Sequence, residues 1–190
     1  MRQKAVTPAH VALGANLPSA VGTPLETLRS AADAVAALSS GPVSQSRCYA
    51  TPAFPAGSGP DYVNAVVEIG WLGAPDALLA DLHGIEARFG RSRRARWEAR
   101  VIDLDLVTFG QAVAPDAETE AAWRTMPANQ AARETPQTLV LPHPRLAERA
   151  FVLVPLAEIA PSWRHPVTGR RVLDMLDALA PEDRAGVRAL

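Results

Sequence analysis

The sequence predicts an α+β fold: a ferredoxin-like βαββαβ antiparallel sheet with helices packed on one face, plus a C-terminal helical extension. Three observations predict it. Alternating strand-like segments stand at 62–71 and 101–109, apolar stripes at helical spacing stand at 24–35 and 75–89, and the elements follow the order β-α-β-β-α-β. At 190 residues the chain suits one domain with a single core, so 1–190 read as one unit.

The first strand is the apolar run His10 to Gly14. Thr23, Pro24 and Glu26 then spell a helix start, with a Thr N-cap, Pro at N1 and Glu at N3. Leu25, Leu28, Ala32 and Val35 form its apolar stripe, and Ser39-Ser40-Gly41-Pro42 ends it. A second strand is expected over Val43 to Tyr49, followed by the Pro- and Gly-rich surface loop "ATPAFPAGSGP". In the third strand Val63, Ala65, Val67 and Ile69 share one face, and Tyr62, Asn64, Val66 and Glu68 share the other. Leu78, Leu82, Ile85 and Phe89 mark a helix over Pro75 to Phe89, with Gly90 as its C′ residue. The fourth strand is "VIDLDLVTF". Residues 111–137 lack steady periodicity and read as an insertion or a mobile segment. Helices are expected over Leu146 to Ile159 and Val172 to Leu179.

Composition narrows the function classes. The formal net charge is −1, so no global field favours nucleic acid or an anionic membrane. The single cysteine, Cys48, forbids an intrachain disulfide and fits a reducing compartment. No stretch approaches the roughly 20 apolar residues of a membrane span, and the N-terminus lacks a long apolar signal core, so a cytoplasmic protein is expected. No G-x-x-x-x-G-K-[ST] occurs, which excludes a P-loop, and "GANLPSAVG" lacks the glycines of a dinucleotide turn.

The chemistry concentrates at one point. In the fourth strand Ile102, Leu104 and Leu106 face one way, while Val101, Asp103, Asp105 and Val107 face the other. The two carboxylates therefore share a face with α-carbons roughly 6–7 Å apart. Such a pair repels unless a cation joins it. Two partners are open at this point: Mg²⁺, which takes one or two carboxylates plus water and phosphate, or arginines that bond the acids on a wet strand face. Directly before the strand, "GRSRRARWEAR" carries five arginines in eleven residues, whose planar forks match phosphate oxygens. Cations for phosphates beside acids for a metal is the arrangement a Mg-polyphosphate requires. The joint pattern favours nucleotide binding.

These residues resemble the 6-hydroxymethyl-7,8-dihydropterin pyrophosphokinase (HPPK) family of folate biosynthesis. "VALGAN", "ATPAF", "DYVNAVV", "GRSRRARWEARVIDLDL" and "LPHPRLAERAFVLVPLAEIAP" are similar to family segments in the family's order, and the similarity leaves out only 111–137. The resemblance implies transfer of pyrophosphate from ATP to the pterin hydroxymethyl group with release of AMP. It implies that Asp103 and Asp105 hold two Mg²⁺ ions and that Arg91 and Arg100 meet the moving phosphoryl charge. Arg93, Arg96 and Trp97 would belong to a loop over the nucleotide, with Glu86, His143 and Arg149 on the ATP side. Tyr62 and Phe151 would sandwich the pterin and Asn64 would read its edge. Thr51, Pro52 and Phe54 would supply the pocket wall, with Asn16 in a neighbouring loop. The expected partners are these small molecules, with no nucleic acid and no membrane, and the chain is expected to be monomeric. Four positions depart from the family pattern: Ala15, Glu98, Ala99 and Val140.

Residue-level alternatives stand beside these roles. Tyr62 and Phe151 also suit an apolar core, His143 a turn cap, and Glu86 an ion pair on an exposed helix face. An RRM-like nucleic-acid module shares the element order, but "HVALG" carries no stacking aromatic and acids in the fourth strand repel phosphates. A non-catalytic homologue that binds nucleotide or pterin is the third alternative.

Overall fold

The computed structural model describes residues 5–53, 59–90, 101–131 and 133–190. Its sheet contains β1 (Thr7–Ala15), β2 (Ser44–Gln45), β3 (Tyr49–Thr51), β4 (Tyr62–Trp71), β5 (Asp103–Phe109) and β6 (Arg188–Ala189). The order is β5-β1-β4-β3-β6, with β2 also on β4, and every pairing is antiparallel. The helices are α1 (Pro24–Ala36), α2 (Pro75–Arg88), α3 (Ala117–Thr125), α4 (Ala128–Ala131), α5 (Ala150–Ile159), α6 (Val172–Asp177) and α7 (Pro181–Ala185). The fold is α+β on an antiparallel sheet.

Local signals set the first helix. Thr23 and Glu26 form a reciprocal capping box and Pro24 opens α1. Gly90, with φ +85°, supplies the left-handed residue just past α2 that favours glycine.

Alternation then divides the sheet into two buried faces. On the first, Val11, Leu13, Ala65, Val67, Leu104 and Leu106 pack against Leu28 and Val35 of α1 and Leu78, Leu82 and Ile85 of α2. On the second, Ala12, Val66 and Val107 pack against Val152, Leu153 and Leu156 of α5 and Val172 and Met175 of α6. α1 and α2 share one face, as expected of the two helices between the strands; the expectation gave no face for the C-terminal helices. The C-terminal helices are the cover of the second face, because Ala12, Val66 and Val107 would otherwise leave an apolar patch in water.

The element boundaries differ from expectation for identifiable reasons. β1 begins at Thr7 because His10, which interrupts the apolar pattern, is buried between Thr108 and Glu68 with hydrogen bonds of 2.6 and 2.9 Å. The strand expected over Val43 to Tyr49 is split into β2 and β3. Between them the Ser46 hydroxyl accepts the Val66 N–H and donates to the Arg47 carbonyl. β5 begins at Asp103 rather than Val101. The helix expected over Leu146 to Ile159 breaks at Arg149, whose extended backbone separates a single 3-10 turn (Leu146–Glu148) from α5. The last predicted helix stops at Asp177 rather than Leu179. Residues 111–137, expected as an insertion or mobile segment, carry α3 and α4. α7 and β6 have no counterpart in the sequence expectations; β6 adds to β3 through Tyr49–Ala189 and Ala50–Arg188.

Candidate active site

β5 is an end strand of the sheet and carries Asp103 and Asp105 on the second face. Its register fixes their neighbours. Asp105 stands opposite Ala12 and Asp103 opposite Gly14, and on the far side of β1 the same two residues face Val66 and Asn64. Asp103, Gly14 and Asn64 thus form one row across three strands, which places Asp103 and Asn64 about 10 Å apart, two strand spacings. A Cβ at position 14 would come within 3.3 Å of the Asn64 Oδ1 atom. A side chain there would crowd the Asn64 amide, so glycine leaves the row between the acid and the amide uncrowded.

Around Asn64 the groups are ordered. Its Nδ2 donates to Thr51 Oγ1 at 2.8 Å, and both residues are buried. Thr51 is in register with Tyr62, and Asn16, also buried, donates from Nδ2 to the Pro60 carbonyl at 3.4 Å. Tyr62 is half-buried and Pro52 exposed. Phe151, in the first turn of α5, is 39% exposed, a large apolar ring held at the surface.

The acid end is built by three elements. Leu104 has β1 on one side only, so its outward N–H needs a partner. The Glu86 Oε1 atom of α2, 2% exposed, accepts it at 2.8 Å. Glu86 therefore latches α2 to the strand between the two acids, which excludes the exposed helix-face alternative. The segment after the Leu141-Pro142 peptide docks through the His143 N–H on the Val107 carbonyl at 2.8 Å. The Arg145 N–H donates to His143 Nδ1 at 3.1 Å, so a neutral ring carries its proton on Nε2. Burial, with the Arg149 charge second, pulls the His143 imidazole down from 6.5 to about 3. It is neutral at physiological pH.

Arg149 precedes α5 and turns to the acids. Its Nη1 donates to Asp105 Oδ2 at 3.2 Å, with the two side chains 29% and 39% exposed. The arginine alternative left open for the acidic pair is realised at Asp105 by a residue 44 positions along the chain. The same guanidinium lies over the Phe151 ring at 5.7 Å from its centroid.

The donor set suits a hard divalent cation: two partly exposed carboxylates on one strand face. Among the described residues no group of three or more His, Cys, Asp or Glu residues gathers as an all-protein metal cage.

The structure thus brings together Asp103, Asp105, Glu86, His143 and Arg149 at one end of the row, and Asn16, Thr51, Tyr62 and Asn64 at the other, with Phe151 beside Arg149. Phe54, Arg91, Arg93, Arg96, Trp97 and Arg100 lie outside the described residues. Sequence reasoning missed Gly14 as the spacer. Its signal was a glycine at the end of an apolar strand, which read there only as a strand end.

The chain thus belongs to the class of antiparallel α+β proteins, with paired acids on an end strand and an amide-and-aromatic cluster across the adjacent strand. Residues 10–161 match the family model described as 7,8-dihydro-6-hydroxymethylpterin-pyrophosphokinase (HPPK), and the chain belongs to that family. Relatives named 2-amino-4-hydroxy-6-hydroxymethyldihydropteridine pyrophosphokinase agree. The Methylorubrum extorquens protein is 34% identical over 177 residues, covering 93% of this chain and 96% of its own. The Haemophilus influenzae protein is 35% identical over 153 residues, covering 80% and 81%. The Synechocystis protein is 37% identical over 118 residues, covering 62% of this chain and 50% of its own, so the match spans half of that relative. The fold is also that of the wild-type Plasmodium falciparum HPPK-DHPS crystal structure, with a TM-score of 0.62 at 11% identity, over 93% of this chain and 45% of that one.

Proposed function

We propose that the chain transfers pyrophosphate from ATP to the hydroxymethyl group of 6-hydroxymethyl-7,8-dihydropterin, releasing AMP, as a step of folate biosynthesis. The observation that carries the reading is the row Asn64–Gly14–Asp103, which sets a base-reading amide and a cation-binding acid two strands apart on one face. Tyr62 and Phe151 enclose the pterin ring, Asn64 and Thr51 read its polar edge, and Asn16, Pro52 and Phe54 complete the wall. The acids Asp103 and Asp105 hold Mg²⁺, with two ions expected; when bound, the ions offset phosphate charge and fix the triphosphate in place.

The chain's own groups do the positioning. A neutral His143 offers an Nε2–H donor on the ATP side, Arg149 a planar fork for phosphate, and buried Glu86 holds the strand that bears the acids. Arg91, Arg93, Arg96 and Arg100 supply further forks, and Trp97 an aromatic face. The pterin hydroxyl oxygen bonds to the β-phosphorus while the bond from that phosphorus to the α–β bridging oxygen breaks. AMP takes the electron pair and the hydroxyl proton passes to solvent. No protein nucleophile is needed, because positioning and charge stabilisation supply the catalysis.

The order β1-α1-β3-β4-α2-β5, with β5 and β4 on either side of β1, supports a ferredoxin-like arrangement within one HPPK-like domain extended by α5 to α7. No helix among the described residues is long and apolar enough to cross a membrane. A monomer acting in the cytoplasm is the accompanying reading. AMP formation from ATP, followed by chromatography, tests the function. It should require both Mg²⁺ and the hydroxymethyl dihydropterin, and ADP as product or indifference to the pterin would overturn it.

A further inference from the structure

One guanidinium touches both halves of the site. Arg149 donates to Asp105 at 3.2 Å and lies over the Phe151 ring, and its charge helps to hold the adjacent His143 neutral. A cation of this kind beside a metal-binding carboxylate competes with the metal, because both seek the same oxygen lone pairs. Arg149 stands on an extended backbone before α5, and its side chain is 29% exposed, so part of it already meets solvent.

We propose that Arg149 is a placeholder cation: it occupies Asp105 in the metal-free chain, is displaced when a divalent cation enters between Asp103 and Asp105, and is thereby released towards the incoming phosphates. The inference rests on the reading of Asp103 and Asp105 as the cation ligands. It adds an order of events within that site. The positive charge that neutralises Asp105 before the cation arrives becomes, once displaced, a free fork for the phosphate chain that the cation brings. Because the same guanidinium lies over the Phe151 ring, its departure also removes a charge from beside the ring on which a flat heterocycle stacks. Cation entry and preparation of the pterin side are one movement of one side chain. Arg145, a turn earlier, has no such part: it is paired with Glu148 across three residues at the surface.

The test measures Mn²⁺ binding to the whole chain, without nucleotide, by water-proton relaxation enhancement at constant ionic strength. Arg149→Gln should bind Mn²⁺ about threefold to tenfold more tightly than wild type, whereas Arg149→Lys, which keeps a cation beside Asp105, should stay within about twofold. Arg145→Gln removes an equal charge one turn away and should also stay within about twofold; a gain as large as that of Arg149→Gln would mean a diffuse field effect and overturn the placeholder. Equal Mn²⁺ affinity in wild type and Arg149→Gln, or no binding in either, overturns it as well. If AMP release nonetheless depends on Mg²⁺ and Asp105, only the exchange has failed and the assignment of the acids stands. If Mn²⁺ binding ignores Asp105→Asn, the acid assignment falls, and the exchange with it.

Discussion

The second face of the sheet has two ends, built on the same three strands and treated in opposite ways. At one end His10 is buried between Thr108 of β5 and Glu68 of β4, and the Trp163 ring meets its edge at 6.4 Å. Beyond Trp163, His165 accepts the Val167 and Thr168 N–H groups on Nδ1 and points Nε2 at Glu120, 3.5 Å away. Glu120 is completely buried and also receives Nε of Arg124 at 3.0 Å. At the other end Asp103, Asp105, Arg149 and Phe151 stand partly in solvent. A polar cluster closed by its own partners secures the fold, since each buried group would otherwise lose its hydrogen bonds. A cluster of unlike groups kept at the surface retains the capacity to exchange partners, and that is what a binding site needs.

Breaking each end separately sharpens the contrast. The largest effect is expected at the open end. Asp105→Ala should lower AMP formation by about 10³-fold, on the scale of losing a main charge-stabilising contact, while the urea midpoint stays near wild type. At the closed end Glu120→Ala strands Arg124 and His165 and should cost about 3 kcal/mol of stability in urea denaturation, with turnover per folded molecule retained.

Acid titration comes next. His165 is pulled down to about 4, chiefly by burial and then by the Arg124 charge, and His143 to about 3. Both native imidazoles refuse protons that the unfolded chain accepts near 6.5. Stability is therefore level above that pH and falls as the pH drops below it, by roughly 1.4 kcal/mol per pH unit for each ring until its native value is reached. Urea midpoints at pH 7.5 and 5.5 should show the fall, and His165→Asn should reduce it. The smallest effect belongs to the aromatic wall: Tyr62→Ala should weaken pterin binding about tenfold in calorimetry and leave ATP binding unchanged.

The alternation of β4 and β5 was legible because each apolar row meets a packed helix layer, so Asp103 and Asp105 could be placed on one face of their strand, and Tyr62 and Asn64 on one face of theirs; that the two faces coincide came only with the register across β1. The capping box of α1 was legible because its partners lie three residues apart. Arg149 was not, since its bond to Asp105 joins positions distant in the chain, and the nearer arginines were the natural candidates. α3 escaped because its buried anchor is the carboxylate of Glu120, and apolar periodicity cannot report a helix held by a charge. The second helix layer escaped because Ala12, Val66 and Val107 are scattered singly among His10, Asn64, Asp103 and Asp105.

The contact between Glu86 and the Leu104 amide has a consequence for the chain in the company of its own copies. A border strand that offers bare amides is a template on which another molecule can extend the sheet, the first step towards aggregates. Here one such amide is already occupied by a carboxylate anchored in a helix, and any newcomer would have to expel it from a dry position. The same carboxylate that holds the strand between the two acids thus closes one amide on the margin of the sheet to strand addition.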